Sequence, residues 1–66
     1  LNMIEYQVDV VDPKTNEERQ VTVSVTPLQR ARAKRSSDWM RAIQDLARPL
    51  IPAGFLPIGN RVRMLQ

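Results

Sequence analysis

Two stretches of the chain alternate apolar and polar side chains with a period of two. Ile4, Tyr6, Val8 and Val10 are separated by Glu5, Gln7 and Asp9, and Val21, Val23 and Val25 by Thr22 and Ser24. That period places neighbours on opposite faces of a strand, so each stretch is predicted to be a β-strand with one dry and one wet face. Between them, Asp12-Pro13-Lys14-Thr15-Asn16 carries turn chemistry. Asp opens a type I turn, Pro presets the backbone of the second position, and Asn tolerates the left-handed angles that close a bulged hairpin. Residues 3–12 and 18–26 are therefore expected to form an antiparallel hairpin.

The period then changes to that of a helix. Thr26 is a good N-cap, Pro27 suits the first helical position, and Gln29 completes a capping box. Pro49 is the stop, because a residue before proline avoids helical angles, and Arg48 suits the negative end of the helix dipole. On one helix over 27–48, Leu28, Ala31, Trp39, Ala42, Ile43, Leu46 and Ala47 share a broad apolar face. Arg30, Lys34, Arg41 and Arg48 lie opposite, with Asp38 and Asp45 at ion-pair spacings.

Arg32 and Arg35 do not fit this wheel. They project onto the apolar face between Leu28 and Trp39, where an unpaired guanidinium is costly to bury. Three arrangements would relieve the conflict: a break at Ser36-Ser37 with Asp38 capping a second helix, first turns that overhang the sheet, or pairing with acids of the hairpin. The expectation carried forward is a continuous or kinked helix whose N-terminal part is not packed on its own sheet.

Beyond Pro49 the chain is apolar but punctuated by Pro52, Gly54, Pro57 and Gly59, which predicts an ordered loop over 49–60. Residues 61–65 are expected to be a last strand, with Val62 and Met64 on one face. Gly59-Asn60 also has the form of a two-residue hairpin turn that would join 55–58 to 61–65, and Pro57 would hold such a strand at an edge. The expected fold class is α+β: a small antiparallel sheet, made of the N-terminal β-hairpin and the C-terminal strand, with one long helix on one face, ββαβ. A right-handed crossover gives the strand order 2-1-3, with the second and third strands as edges.

Length and composition narrow the chemistry. Sixty-six residues make one small domain, 1–66, with a core that is marginal for a monomer. Chains of this size commonly add disulfides, a metal or a partner subunit. The sequence has no Cys and no His, which removes disulfides, thiolate zinc sites, the commonest metal ligand and the usual general base. No catalytic, cofactor-binding or metal-ligating residues are expected, and the hydroxyls of Ser24, Ser36 and Ser37 have no His to activate them. Self-association is the remaining support. No stretch reaches the about 20 apolar residues of a membrane span, and no secretory signal is read, so a cytoplasmic location is expected and no membrane partner.

Charge divides the chain in two. Residues 1–26 hold five acids against two cations, a balance of −3, and residues 27–66 hold eight cations against two acids, a balance of +6. A split charge favours contact between halves, within or between chains. The candidate contact set for a partner or nucleic acid is Arg30, Arg32, Lys34, Arg35 and Arg41, with Arg61 and Arg63 as neighbours. Phe55, Leu56 and Ile58 are the candidate apolar docking residues. The expected function is a non-enzymatic interaction module that self-associates as a homodimer through sheet edges and the helix overhang, with an unknown protein as a further partner. A nucleic-acid-binding or regulatory role for the basic helix face is the second reading.

Overall fold

Asp12 organises the first turn. Its carbonyl accepts from the amides of Thr15 and Asn16, at 3.2 and 2.8 Å, while its carboxylate accepts from the amide of Lys14 at 2.9 Å. Asn16 closes the turn at φ 61°, the left-handed angle that Asn adopts more readily than most residues. In the computed structural model, which describes residues 2–65, this turn joins β1 (Ile4–Asp12) to β2 (Glu17–Val25). The first and last residues of the expected 1–66 domain lie outside the described residues. The two strands pair in unbroken register from Ile4↔Val25 to Asp12↔Glu17.

One helix was expected, and two form: α1 (Pro27–Arg35) and α2 (Trp39–Ala47), followed by a single 3-10 turn over Arg48–Leu50. The capping box at Thr26 and Gln29 starts α1 as the sequence implies, with bonds of 3.0 and 2.8 Å. The break lies at 36–38. Ser36 turns back on its own helix, its hydroxyl donating to the Ala33 carbonyl at 2.6 Å. Asp38 then caps α2, accepting from the Arg41 amide at 3.1 Å. Short polar side chains offer the backbone such local partners in place of helical ones, and three in succession end the helix.

The break resets the helical phase, so a wheel drawn through 27–48 misplaces the residues of α1. Leu28 and Ala31 face solvent, and Ala33 is the buried residue of this helix. Arg32 and Arg35 are exposed, which removes the conflict that the single helix created.

The C-terminal region is also corrected. In place of a loop over 49–60 and a strand over 61–65, a nine-residue strand β3 runs over Leu56–Met64. It pairs antiparallel with β1 from Tyr6↔Met64 to Val11↔Leu56, giving the sheet order β2-β1-β3. Gly59-Asn60 forms no hairpin. Between Val8↔Val62 and Val10↔Pro57, β3 advances five residues while β1 advances two, so the dipeptide sits in a bulge. Gly59 holds φ 34° there, an angle that favours glycine. The long β1 decides the outcome, since pairing along its second edge satisfies backbone groups that a loop would leave to water.

The helices cover one face of the sheet. The core beneath them consists of Tyr6, Val8, Val10, Val23, Val25 and Val62 from the strands, with Ala33, Ile43 and Ala47 from the helices. Gln44 is buried among them, and its amide donates to the Gly59 carbonyl at 2.8 Å, tying α2 to the bulge. The other face is wet. Arg61 donates to Asp9 at 2.9 Å and to Glu18 at 3.0 Å, spanning all three strands, and Arg63 donates to Gln7 at 3.2 Å. No helix of the described residues is long and apolar enough to cross a membrane.

Candidate functional site

The second helix starts at Trp39, directly after the Asp38 cap, and this sets the indole against β1. The Trp39 and Tyr6 rings lie with centroids 6.2 Å apart at 51°, within the tilted geometries that aromatic pairs favour. Tyr6 is buried, whereas Trp39 keeps 39% of its surface exposed. From α1, Arg30 reaches the same place and its Nε donates to the Tyr6 hydroxyl at 3.2 Å. The single-helix wheel put Arg30 on the wet face; the structure half-buries it against the sheet.

These groups line a concavity of about 260 Å³ bounded by Tyr6, Arg30, Ala33, Lys34, Trp39 and Met64. Its walls come from β1, β3 and both helices, and none from β2. Met64 pairs with Tyr6 across the strands and is 54% exposed at the rim. The site therefore combines two aromatic rings, a thioether and two cations. Sequence spacing does not reveal it, because Tyr6 and Met64 stand at opposite ends of the chain. The Asp38-Trp39 junction was the available signal: an N-cap there restarts the helical phase and re-aims every side chain of α1.

The five predicted contact cations do not form one surface. Arg30 and Lys34 line the aromatic concavity. Arg32 instead lines a groove between the helices with Gln29, Ala33, Ala42, Asp45 and Leu46. Arg35 is exposed at the end of α1. Arg41 stands on α2, where its Nε lies 3.6 Å from Asp45. Among the described residues, none of the four α1 cations enters an ion pair; the bridges formed involve Arg19, Arg41, Arg48 and Arg61. Arg61 and Arg63, read as neighbours of the basic set, stand on the opposite, wet face of the sheet. The Asp45 carboxyl is held below its ordinary value, chiefly by the hydrogen bond from Arg48 at 2.8 Å and further by Arg41.

The apolar trio is dispersed as well. Phe55 is half-buried against the core and lies 4.5 Å beneath the Arg19 guanidinium. Leu56 is 56% exposed opposite Val11, and Ile58 is half-buried within β3. They belong to a strand and its approach, so no protruding docking loop forms. Among the described residues, no group of three or more acids is placed to hold a metal ion.

The two sheet edges differ. β3 carries Pro57 and the bulge, and its Arg61 and Arg63 turn inward across the wet face to Asp9, Glu18 and Gln7. β2 presents nine residues in regular register, with neither proline nor glycine, ending in Val21-Thr22-Val23-Ser24-Val25. Comparison of the chain with protein-family models, with curated proteins and with solved structures finds no match.

Proposed function

We propose that this chain is a non-enzymatic binding module that works as a homodimer, joined through the free edge of β2. The observation that carries the reading is the contrast between the edges. Folded proteins blunt an exposed edge with proline, bulges or charge, because an open row of backbone groups templates another strand. β3 carries a proline and a bulge, while β2 carries neither and confines its charges to Glu17, Glu18 and Arg19.

Charge selects the second copy as the occupant and antiparallel as the direction. Parallel pairing would align the Glu17-Glu18 pairs of the two copies. Antiparallel pairing over all nine residues centres on Val21 and sets Glu17 and Glu18 opposite the second copy's Val25 and Ser24. The acidic turn then runs beside the start of the second copy's α1, which holds four cations and no acid. A twofold repeats the contact, so each copy's acidic turn faces the basic α1 of the other, while the strands themselves meet through their uncharged valine-rich segments.

Sedimentation equilibrium tests the proposal. The wild-type chain is expected at twice its 7.6 kDa mass. Gln20 and Thr22 are exposed and oppose each other across the axis in this pairing, so Gln20→Asp with Thr22→Asp, and Gln20→Lys with Thr22→Lys, each set like charges face to face, which is destabilising, and each double variant is expected to sediment as a folded monomer. Mixing the two variants restores the dimer. A wild-type monomer at high micromolar concentration, or an Asp double variant that still dimerises, overturns the reading.

A further inference from the structure

We infer that the concavity between Trp39, Tyr6, Lys34 and Arg30 is a binding site for single-stranded nucleic acid. One base stacks on the exposed part of the Trp39 indole, and the flanking phosphates lie on Lys34 and Arg30. Two independent observations point to this ligand. Two of the chain's three aromatic rings converge here, and the indole keeps 39% of its surface exposed. The helix beside them carries Arg30, Arg32, Lys34 and Arg35, and among the described residues none of these has an acidic partner.

Aromatic platforms flanked by cations hold single strands because every base offers a π-face and every linkage a charge. A duplex hides its bases in the stack, and the short α1 presents only Arg30 and Lys34 to this site. The geometry thus selects an unpaired strand over a duplex groove. The Arg30 Nε donates to the Tyr6 hydroxyl, which leaves the terminal N–H groups of its planar fork for a phosphate at a reduced ordering cost. The site shares no residue with the β2 edge, and since the proposed dimer brings a second copy's acidic turn to the start of α1, titrating the monomeric β2-edge variant beside the wild-type chain separates the two proposals.

Trp39 is the only tryptophan, so its fluorescence reports this site alone. The probe is an oligothymidylate of about ten nucleotides, within the site sizes of small single-strand binders, titrated at low and moderate salt. Quenching is expected, with log K falling against log salt at a slope of roughly −1.4 for two phosphate contacts. A self-complementary duplex of the same length is expected to quench far less. Trp39→Leu, followed by anisotropy of a labelled probe, should weaken binding at least about tenfold. Lys34→Gln, a change at an exposed helix position, should weaken binding and reduce the slope by about 0.7. Arg63→Gln on the opposite face should leave the affinity unchanged. No quenching at low salt overturns the proposal, as does unchanged affinity in Lys34→Gln. Equal quenching by polyglutamate overturns it too, by assigning the site to an acidic polypeptide.

Discussion

Leu28 and Ile43 test whether the helical region is one unit or two. A single helix over 27–48 places both on the same apolar face, and truncating either would then cost a comparable amount. The structure separates them: Ile43 is fully buried in α2, and Leu28 is 56% exposed on α1. Ile43→Ala removes buried methyl and methylene groups and leaves a cavity under the helix layer, a change that costs about 2–5 kcal/mol. A domain of this length has a total stability of about 3–10 kcal/mol, so the variant is expected to lose a large share of it. At about 4–8 °C per kcal/mol for domains of this size, its thermal midpoint should fall by at least about 8 °C. Leu28→Ala should stay within about 0.5 kcal/mol of the parent. The assay is urea denaturation followed by Trp39 fluorescence and far-UV circular dichroism, at protein concentrations low enough that association does not enter. A Leu28→Ala loss above about 1.5 kcal/mol, or an Ile43→Ala loss below about 1 kcal/mol, would refute the two-helix account.

Three further outcomes follow from the same geometry. Asp38→Ala removes the cap of α2 and is expected to lower stability by about 1 kcal/mol, with Asp38→Asn retaining most of it, by chemical denaturation. Gln44→Leu leaves the Gly59 carbonyl without its partner, and a loss of about 1–2 kcal/mol is expected, with faster amide exchange in the bulge than in the rest of β3. The Asp45 carboxyl should titrate below its ordinary 3.8 by carbon-detected NMR, because Arg48 and Arg41 favour its charged form. Since its folded-state value is depressed, the small stabilisation is present above that ordinary value and is lost as pH falls through the folded one. Arg48→Gln should return the midpoint upward, and salt should weaken the shift at this exposed pair.

The hairpin, its turn and the start of α1 were readable because their causes are local. A period-two pattern, an Asp-Pro opening and a Thr-x-x-Gln box act over a few residues, and each appears where the sequence implies. The ending of α1 was written there too, in Ser36-Ser37-Asp38, yet a helical period continuing on both sides obscured it. Weak helix formers and a cap compete with that period, and only the packed state decides which prevails. The candidate cations shared the same fate, since resetting the phase by three residues moved Arg30 to the sheet and Arg32 and Arg35 to water.

Composition by itself determined that the chain has neither His nor Cys, that its two halves differ in charge, and that its strands have one dry face. Tertiary structure decided the rest. β1 drew residues 56–60 out of a Pro/Gly loop into β3, because an unpaired edge leaves backbone groups unsatisfied and a bulge can absorb the misfit. The meeting of Tyr6 with Trp39, Arg30 and Met64 was decided there too, since strand pairing and helix packing join positions that no spacing along the chain connects.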